Sequence, residues 1–290
     1  MDYCAHIVIL MAIYVILAVS LDLMAGYTGM LSMAHAAYFG IGAYGYALLC
    51  SKFTPQFPFV AACVVSIAAV AGLILGFSSI RVRSDYFAIS SLSIQIVLAS
   101  IFLNCTSLTG GPMGIADVHP MQIGRWVAAK RSDYLFVVLV STAIVYSLSS
   151  FVVSRRFGLV LRAIRQDEMF VESLGVSVAS NKLWVSCVSA AMAAFAGCLY
   201  ASYTSYIDPS SFSVNESIGI VAAVICGGRG TLVGPALGSM FFVAAPEALR
   251  FLGLPAGTAA NLRQLLFGFL LVVVMLLRPR GLLGNVEMEG

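Results

Sequence analysis

Nine stretches of this chain run almost without charge, at about 5–23, 34–50, 58–78, 86–103, 135–153, 183–203, 218–226, 231–246 and 262–277. A helix needs about 20 mostly apolar residues to cross the hydrocarbon core of a bilayer, and most of the stretches reach that length. Of the 290 residues, 60% are hydrophobic and 10% charged, against about 25% charged in a soluble domain. Sixteen Lys and Arg with thirteen Asp and Glu cannot cover a water-facing exterior around so much apolar surface. The chain reads as an all-α polytopic integral membrane protein with about eight to ten transmembrane helices, some of them broken or re-entrant. Residues 1–290 read as one transmembrane domain, without low-complexity segment, coiled-coil heptad or soluble module. The first stretch lacks a basic n-region and a small-residue cleavage site, so it reads as a retained helix.

The pair around Cys226-Gly227-Gly228-Arg229-Gly230 is the exception to length: 218–226 is too short to cross, and 231–246 carries Gly234, Pro235 and Gly238. It reads either as a broken or re-entrant pair lining a pathway or as two helices with a tight turn. Orientation follows from Lys and Arg in short loops. Arg81 and Arg83, then Arg155, Arg156, Arg162, Arg165 and Lys182, then Arg278 and Arg280 mark cytoplasmic segments, whereas 204–217 has no Lys or Arg and suits the outside. The loop at about 104–134 is external by parity, and the C-terminus is cytoplasmic. Small residues four apart at Ala68/Gly72/Gly76, Ala193/Gly197/Ala201 and Gly234/Gly238 mark seams where helix backbones approach closely.

Several functions are excluded. A net charge of +3 with dispersed cations is no nucleic-acid footprint. The seven cysteines show no C-x-x-C spacing, and His6, His35 and His119 lie far apart, so no metal site assembles. Phosphate-binding loop, H-E-x-x-H and G-x-S-x-G motifs are missing; the chain is not an enzyme, and any nucleotide hydrolysis belongs to another subunit. No cofactor is implied.

The longest patterned polar interruption is Ser154 to Lys182. Phe157, Leu161, Ile164, Val171 and Leu174 fall at near-helical spacing, Arg162, Arg165, Asp167, Glu168 and Glu172 take other positions, and Gly175 can end the helix in the left-handed conformation. This predicts a cytoplasmic amphipathic helix at about 154–182. It either rests on headgroups or docks into a soluble partner, and charge of both signs suits the second.

The run Ser154-Arg-Arg-Phe-Gly-Leu-Val-Leu-Arg-Ala-Ile-Arg-Gln-Asp-Glu168, with Glu172-Ser-Leu-Gly175, resembles the coupling loop of the LivM-type permeases of branched-chain amino acid ABC importers. Gly26-Tyr-Thr-Gly-Met-Leu-Ser-Met-Ala-His-Ala36, Leu108-Thr-Gly-Gly-Pro-Met-Gly-Ile115, Gly227-Gly-Arg-Gly-Thr-Leu-Val-Gly-Pro235 and Arg278-Pro-Arg-Gly-Leu-Leu283 agree with that family in content and order, over about Leu21 to Gly284. The resemblance implies a permease subunit in the cytoplasmic or inner membrane of a bacterium or archaeon. It would pair with a second related permease, two cytoplasmic ATP-binding subunits and an extracytoplasmic solute-binding protein. The solute would be a branched-chain or related hydrophobic amino acid; urea, short amides or small aromatic acids, or a stand-alone channel or secondary carrier, are the alternatives.

Site residues follow in three groups. In the pathway group, the glycines of Gly26-Tyr27-Thr28-Gly29 permit a tight turn and Ser32 can cap a helix starting near Met33; the block is either a site where free N–H groups suit a carboxylate or a structural re-entrant turn with His35 packed inside. That block supplies Tyr27, Thr28, Ser32 and His35 as candidates, and the second block supplies Thr109, Gly110 and Gly111. Gln95, where the family usually shows an acidic residue, is a candidate for the pathway or for interhelical hydrogen bonding. The ATPase-coupling candidates are Leu161, Arg162, Ile164, Arg165, Asp167, Glu168, Glu172 and Gly175. Contact with a binding protein would fall to Asp208, Glu216 and Glu247.

Overall fold

The computed structural model describes residues 2–53, 56–81, 84–128 and 130–250, with residues 265, 268 and 269. Most of the stretch 262–277, with Arg83, Arg278, Arg280 and the block from Arg278 to Leu283, lies outside the described residues. Eleven α-helices are described: α1 (Asp2–Ala25), α2 (His35–Lys52), α3 (Phe57–Arg81), α4 (Ser84–Asn104), α5 (Thr106–Thr109), α6 (Arg131–Ser154), α7 (Arg156–Gln166), α8 (Glu168–Ser173), α9 (Val178–Thr204), α10 (Val214–Gly227) and α11 (Val233–Arg250). One two-stranded hairpin accompanies them, with Gln122 opposite Val127 and Ile123 opposite Trp126. The chain is an all-α polytopic membrane protein. Five helices, α1, α3, α4, α6 and α9, are long and apolar enough to cross a membrane by themselves.

Side-chain pairs fix the direction of each helix. His6 meets Tyr203 and the Ser20 carbonyl meets Ser189, so α1 and α9 are antiparallel. His35 bonds Ser189 and Gly42 bonds Cys198, so α2 runs parallel to α9. The pairs Ser79–Lys182 and Phe57–Phe195 turn α3 against α9, and Ser149–Met192 with Tyr134–Ser202 do the same for α6. Gln95 with Ala37 and Phe102 with Tyr44 align α4 with α2. One end of the bundle therefore gathers the last turn of α1, the last turn of α3, α7, α8 and the loop 228–232. The other gathers the start of α1, the 105–130 segment and the turn at 205–213.

The seams predicted from small residues are where backbones touch. Helix α9 occupies the centre, packed on α3, α2 and α1, and its buried face is built of Ser186, Ser189, Ala190, Ala193, Ala194, Gly197, Cys198 and Ala201. A Cβ on Gly72 would strike the Ala190 side chain and the Ser186 carbonyl. One on Gly197 would strike the backbone of Phe39, Gly42 and Ala43, and one on Gly238 the Ala223 carbonyl and Gly227. Lipid supplies no hydrophobic push between helices, so this close approach of backbones is what holds them.

The pair around Gly227 consists of a 14-residue α10 and an 18-residue α11 joined by 228–232. At 1.5 Å per residue α10 spans about 21 Å, short of the roughly 30 Å hydrocarbon core. Helix α2 is also displaced inward. It starts at His35, beside Ser189 near the middle of α9, so residues 26–34 climb to that depth as non-helical backbone.

Candidate functional site

The starts of α2 and α10 approach each other at mid-depth, and polar side chains supply what lipid cannot. Helix α2 begins at His35, with Ala34 rather than Ser32 as its cap residue, two residues later than the sequence suggests. Ser32 Oγ accepts instead from the Ala34 N–H (3.3 Å). The amides expected to be free are occupied: Met33 donates to Ser91 Oγ (2.9 Å), Ala36 to Ser217 Oγ (3.0 Å) and Ala37 to Gln95 Oε1 (2.7 Å). A solute carboxylate reaching this helix start would have to displace Ser91, Ser217 and Gln95 from these three amides.

Gln95 is fully buried and ties three segments. Its Oε1 also accepts from Ser217 Oγ (3.1 Å), while its Nε2 donates to the Phe212 carbonyl (2.8 Å). An ionised carboxylate could accept at the first two partners but could not donate to the third, whereas the amide satisfies all three. His35, likewise buried, is held by Ser189: the Ser189 hydroxyl donates to the Ser20 carbonyl (2.6 Å), so its oxygen accepts from His35 Nε2–H (3.0 Å).

A second constellation lies at the bundle end that carries α7. Asp22, in the last turn of α1, is fully buried. Its Oδ1 accepts from the Gly230 N–H (2.7 Å) and its Oδ2 from the Leu232 N–H (3.2 Å). Leu232 has φ 54°, a left-handed conformation costing a non-glycine residue about 1–3 kcal/mol, which persists only where surroundings fix it. Arg165 of α7 donates from Nη1 to the Gly26 carbonyl (2.6 Å), and the Arg162 guanidinium stands 5.3 Å from the centre of the Tyr27 ring. Burial and the Asp22 charge push the Tyr27 phenol up to about 12, with Arg162 opposing. Loss of hydration and the neighbouring Arg165 lower Arg229, with Asp22 opposing. Thr28 donates to the Met24 carbonyl (2.5 Å). Tyr27 and Thr28 thus belong to the α7 junction, while Ser32, His35 and Gln95 form the mid-depth junction.

The amphipathic segment is two helices, not one. Asp167 adopts φ −154°, ψ 108°, ends α7 and caps α8 by accepting from the Phe170 N–H (3.0 Å). The break resets the helical phase. Leu161, Ile164 and Val171 are buried as expected, but Leu174 is 66% exposed, joined by Leu159, Met169 and Phe170, which sequence spacing did not single out. Gly175, at φ 79°, ends α8 in the left-handed conformation as expected. Of the charged coupling candidates, Arg162, Arg165, Asp167 and Glu168 make contacts within the chain, though Arg165, Asp167 and Glu168 are exposed like Glu172. Glu168 Oε2 bonds buried Lys182 Nζ (2.6 Å), which also donates to the Ser79 carbonyl (3.4 Å). Glu168→Ala strands that ammonium and is expected to cost about 1–3 kcal/mol. Thermal unfolding in detergent should show the loss, and adding Lys182→Met should restore most of it; an unchanged midpoint for the single variant would refute the pairing.

Of the remaining candidates, Glu216 lies beside the mid-depth junction, one residue before Ser217, and the others lie at the opposite end. Thr109 donates to the Phe102 and Cys105 carbonyls (both 2.8 Å), and Gly110 and Gly111 turn the chain at φ 73° and 59°. Asp208 caps the 209–212 turn by accepting from the Ser210 N–H (3.1 Å). Glu216 accepts from the Tyr14 hydroxyl and Glu247 from that of Tyr3. Among the described residues no group of His, Cys, Asp and Glu could hold a metal ion.

The family model described as branched-chain amino acid transport system / permease component matches residues 3–275. The chain is 31% identical over 294 residues to the high-affinity branched-chain amino acid transport system permease protein LivM of Salmonella typhimurium, covering 93% of this chain and 68% of that one. It is 26% identical to the probable branched-chain amino acid transport permease protein LivM of Methanocaldococcus jannaschii, over 97% of this chain and 93% of the other. Identity to the LivH permease protein of Salmonella typhimurium is 27%, over 95% and 92%. No solved structure matches.

Proposed function

As this chain belongs to the family of permease components of branched-chain amino acid transport systems, we propose that it forms half of an ATP-driven import pathway for branched-chain or related hydrophobic amino acids. Residues 1–290 act as one permease unit, and 154–182 is its coupling segment. The α7 end faces the cytoplasm, because Arg155, Arg156, Arg162, Arg165 and Lys182 cluster there. The start of α1 and the acidic residues Asp208 and Glu247 then face outward, toward a solute-binding protein, with Glu216 deeper along the same route, and the C-terminus faces inward. A second, related permease completes the pathway, in keeping with the similarity to both LivM and LivH proteins. Alternating access needs no ion gradient: ATP favours the closed state of two separate ATPase subunits, and that preference biases the permease pair.

The observation that carries this reading is the ledge on α7 and α8. Met169 is 81% exposed and Phe170 60%, and Leu159 and Leu174 are exposed on the same segment. Exposed Asp167, Glu168 and Glu172 surround them, and carboxylates beside an apolar knob suit a protein groove better than an anionic leaflet.

Met169→Asp with Phe170→Ala is expected to reduce leucine uptake at least about tenfold, because central apolar anchors dominate docking energy. Chain abundance in the membrane should not change, since neither side chain is buried in the fold. Co-purification reports the cause: the wild type retains two ATP-binding subunits and the variant loses them. Undiminished uptake, or a wild-type chain that emerges alone from several mild detergents, would overturn the ATP-coupled reading. A panel of leucine, urea, short amides and aromatic acids assigns the solute.

A further inference from the structure

Three segments distant in sequence meet at Gly26. Its N–H donates to the Asp22 carbonyl (2.7 Å), its own carbonyl accepts from Arg165, and a Cβ placed on it would overlap the Asp22 carboxylate and the Gly230 nitrogen. The neighbouring Asp22 side chain grips the α10–α11 loop at two amides two residues apart. Among the described residues Asp22 is the side chain that bonds the Gly230 and Leu232 amides, and through it α1 holds this loop. Arg165, on the other side of Gly26, belongs to the helix that carries the exposed ledge. A displacement of α7 thus has a direct path to Gly26, whose close packing leaves no room for a side chain against Asp22 or Gly230.

We propose that Asp22, Gly26 and Arg165 form a clasp that makes the 228–232 loop, and with it the short helix pair α10–α11, move with α7. Asp22 is a positioning residue: it touches no solute and acts through the loop. Two acceptor oxygens are required, because both partners are N–H donors. Asp22→Asn keeps one acceptor and turns an NH2 group toward the other amide, so it releases half of the clasp without changing side-chain size. The proposal rests on the ATP-coupled reading for the source of α7's displacement, but the clasp itself stands on this chain alone.

Hydrogen exchange at peptides covering 226–233 separates the two. In the purified chain, Asp22→Asn and Asp22→Ala are expected to speed exchange of the loop amides about tenfold or more, with α9 unaffected, since exchange reports local opening. Arg165→Ala leaves Asp22 in place and should not change loop exchange in the chain alone. In the full complex in nanodiscs, trapping the nucleotide-bound state should alter loop exchange in the wild type, and Arg165→Ala should abolish that response. Loop amides that ignore Asp22→Asn and Asp22→Ala, or a nucleotide response that survives Arg165→Ala, overturn the clasp. So does a wild-type complex that imports solute while its loop ignores nucleotide. A chain that shows the Asp22 effect but binds no ATPase refutes the coupling reading and leaves the grip of Asp22 on the loop established.

Discussion

Gln95→Leu is expected to remove most of the folded chain from the membrane. The substitution keeps side-chain bulk but deletes both polar ends, leaving the Ala37 N–H and the Phe212 carbonyl without their bonds of 2.7 and 2.8 Å. Each buried, unsatisfied backbone group costs about 1–3 kcal/mol, and the loss cannot be repaired by water at this depth. Two such groups, about 2–6 kcal/mol together, are comparable with the low end of the margin of about 5–15 kcal/mol that holds a typical domain folded. Gln95→Glu should fall between leucine and wild type. A carboxylate still accepts from Ala37 and Ser217, but it sets a lone pair against the Phe212 carbonyl where an N–H stood. The measurements are membrane abundance and the unfolding midpoint in mild detergent, in the order wild type, Glu, Leu. A leucine variant with wild-type values would show that the starts of α2 and α10 do not depend on this residue.

How far the sequence discloses such a site depends on whether its bonds are local. Helices α1, α3, α4, α6 and α9 are legible because a span in lipid must be apolar along its length, and uninterrupted hydropathy marks it. The seams are legible for a related reason: Gly72, Gly197 and Gly238 repeat at a spacing that places small residues on one face. Gln95 stands out as a polar residue within a span, but its partners at 37, 212 and 217 come from three other segments, and no spacing rule joins them. The same holds for Asp22 and Gly230, which are 208 positions apart. Near Asp167 the failure is different. One helical period fits Phe157 through Leu174 on paper, yet a single extended residue with a capping side chain ends α7 and turns Met169 and Phe170 outward. The late start of α2 has a similar origin: Ser32 can cap locally, but Ser91, Gln95 and Ser217 together hold the N–H groups from elsewhere.

Gly197→Leu is expected to abolish assembly of the α2–α9 pair, and even Gly197→Ala should be severe. A Cβ at 197 falls on the Phe39 carbonyl, the Ala43 nitrogen (2.8 Å) and the Gly42 Cα (2.9 Å), all of them backbone. No rotamer change can relieve it, so α2 must move away from α9 as a unit. That motion would break the His35–Ser189 bond and draw Ala36 and Ala37 away from Ser217 and Gln95. Overpacking costs typically about 1–3 kcal/mol where neighbours can adjust, and this site belongs at or beyond the upper end. Gly76→Ala, on α3 facing the same central helix, is the contrasting case. Its Cβ would meet the Ser186 Cβ (2.8 Å) and Oγ (2.9 Å) and the Leu183 Cδ2 (3.3 Å), all side-chain atoms. Rotation moves the Ser186 Oγ and Leu183 Cδ2, the Ser186 Cβ contact needs only a slight parting of α3 from α9, and alanine regains about 0.5–1 kcal/mol of helix preference over glycine. Unfolding midpoints should therefore fall steeply for Gly197→Ala and little for Gly76→Ala. Equal losses at the two positions would mean that the α2–α9 crossing is not held by backbone contact, and the junction at Gln95 would then need another source of rigidity.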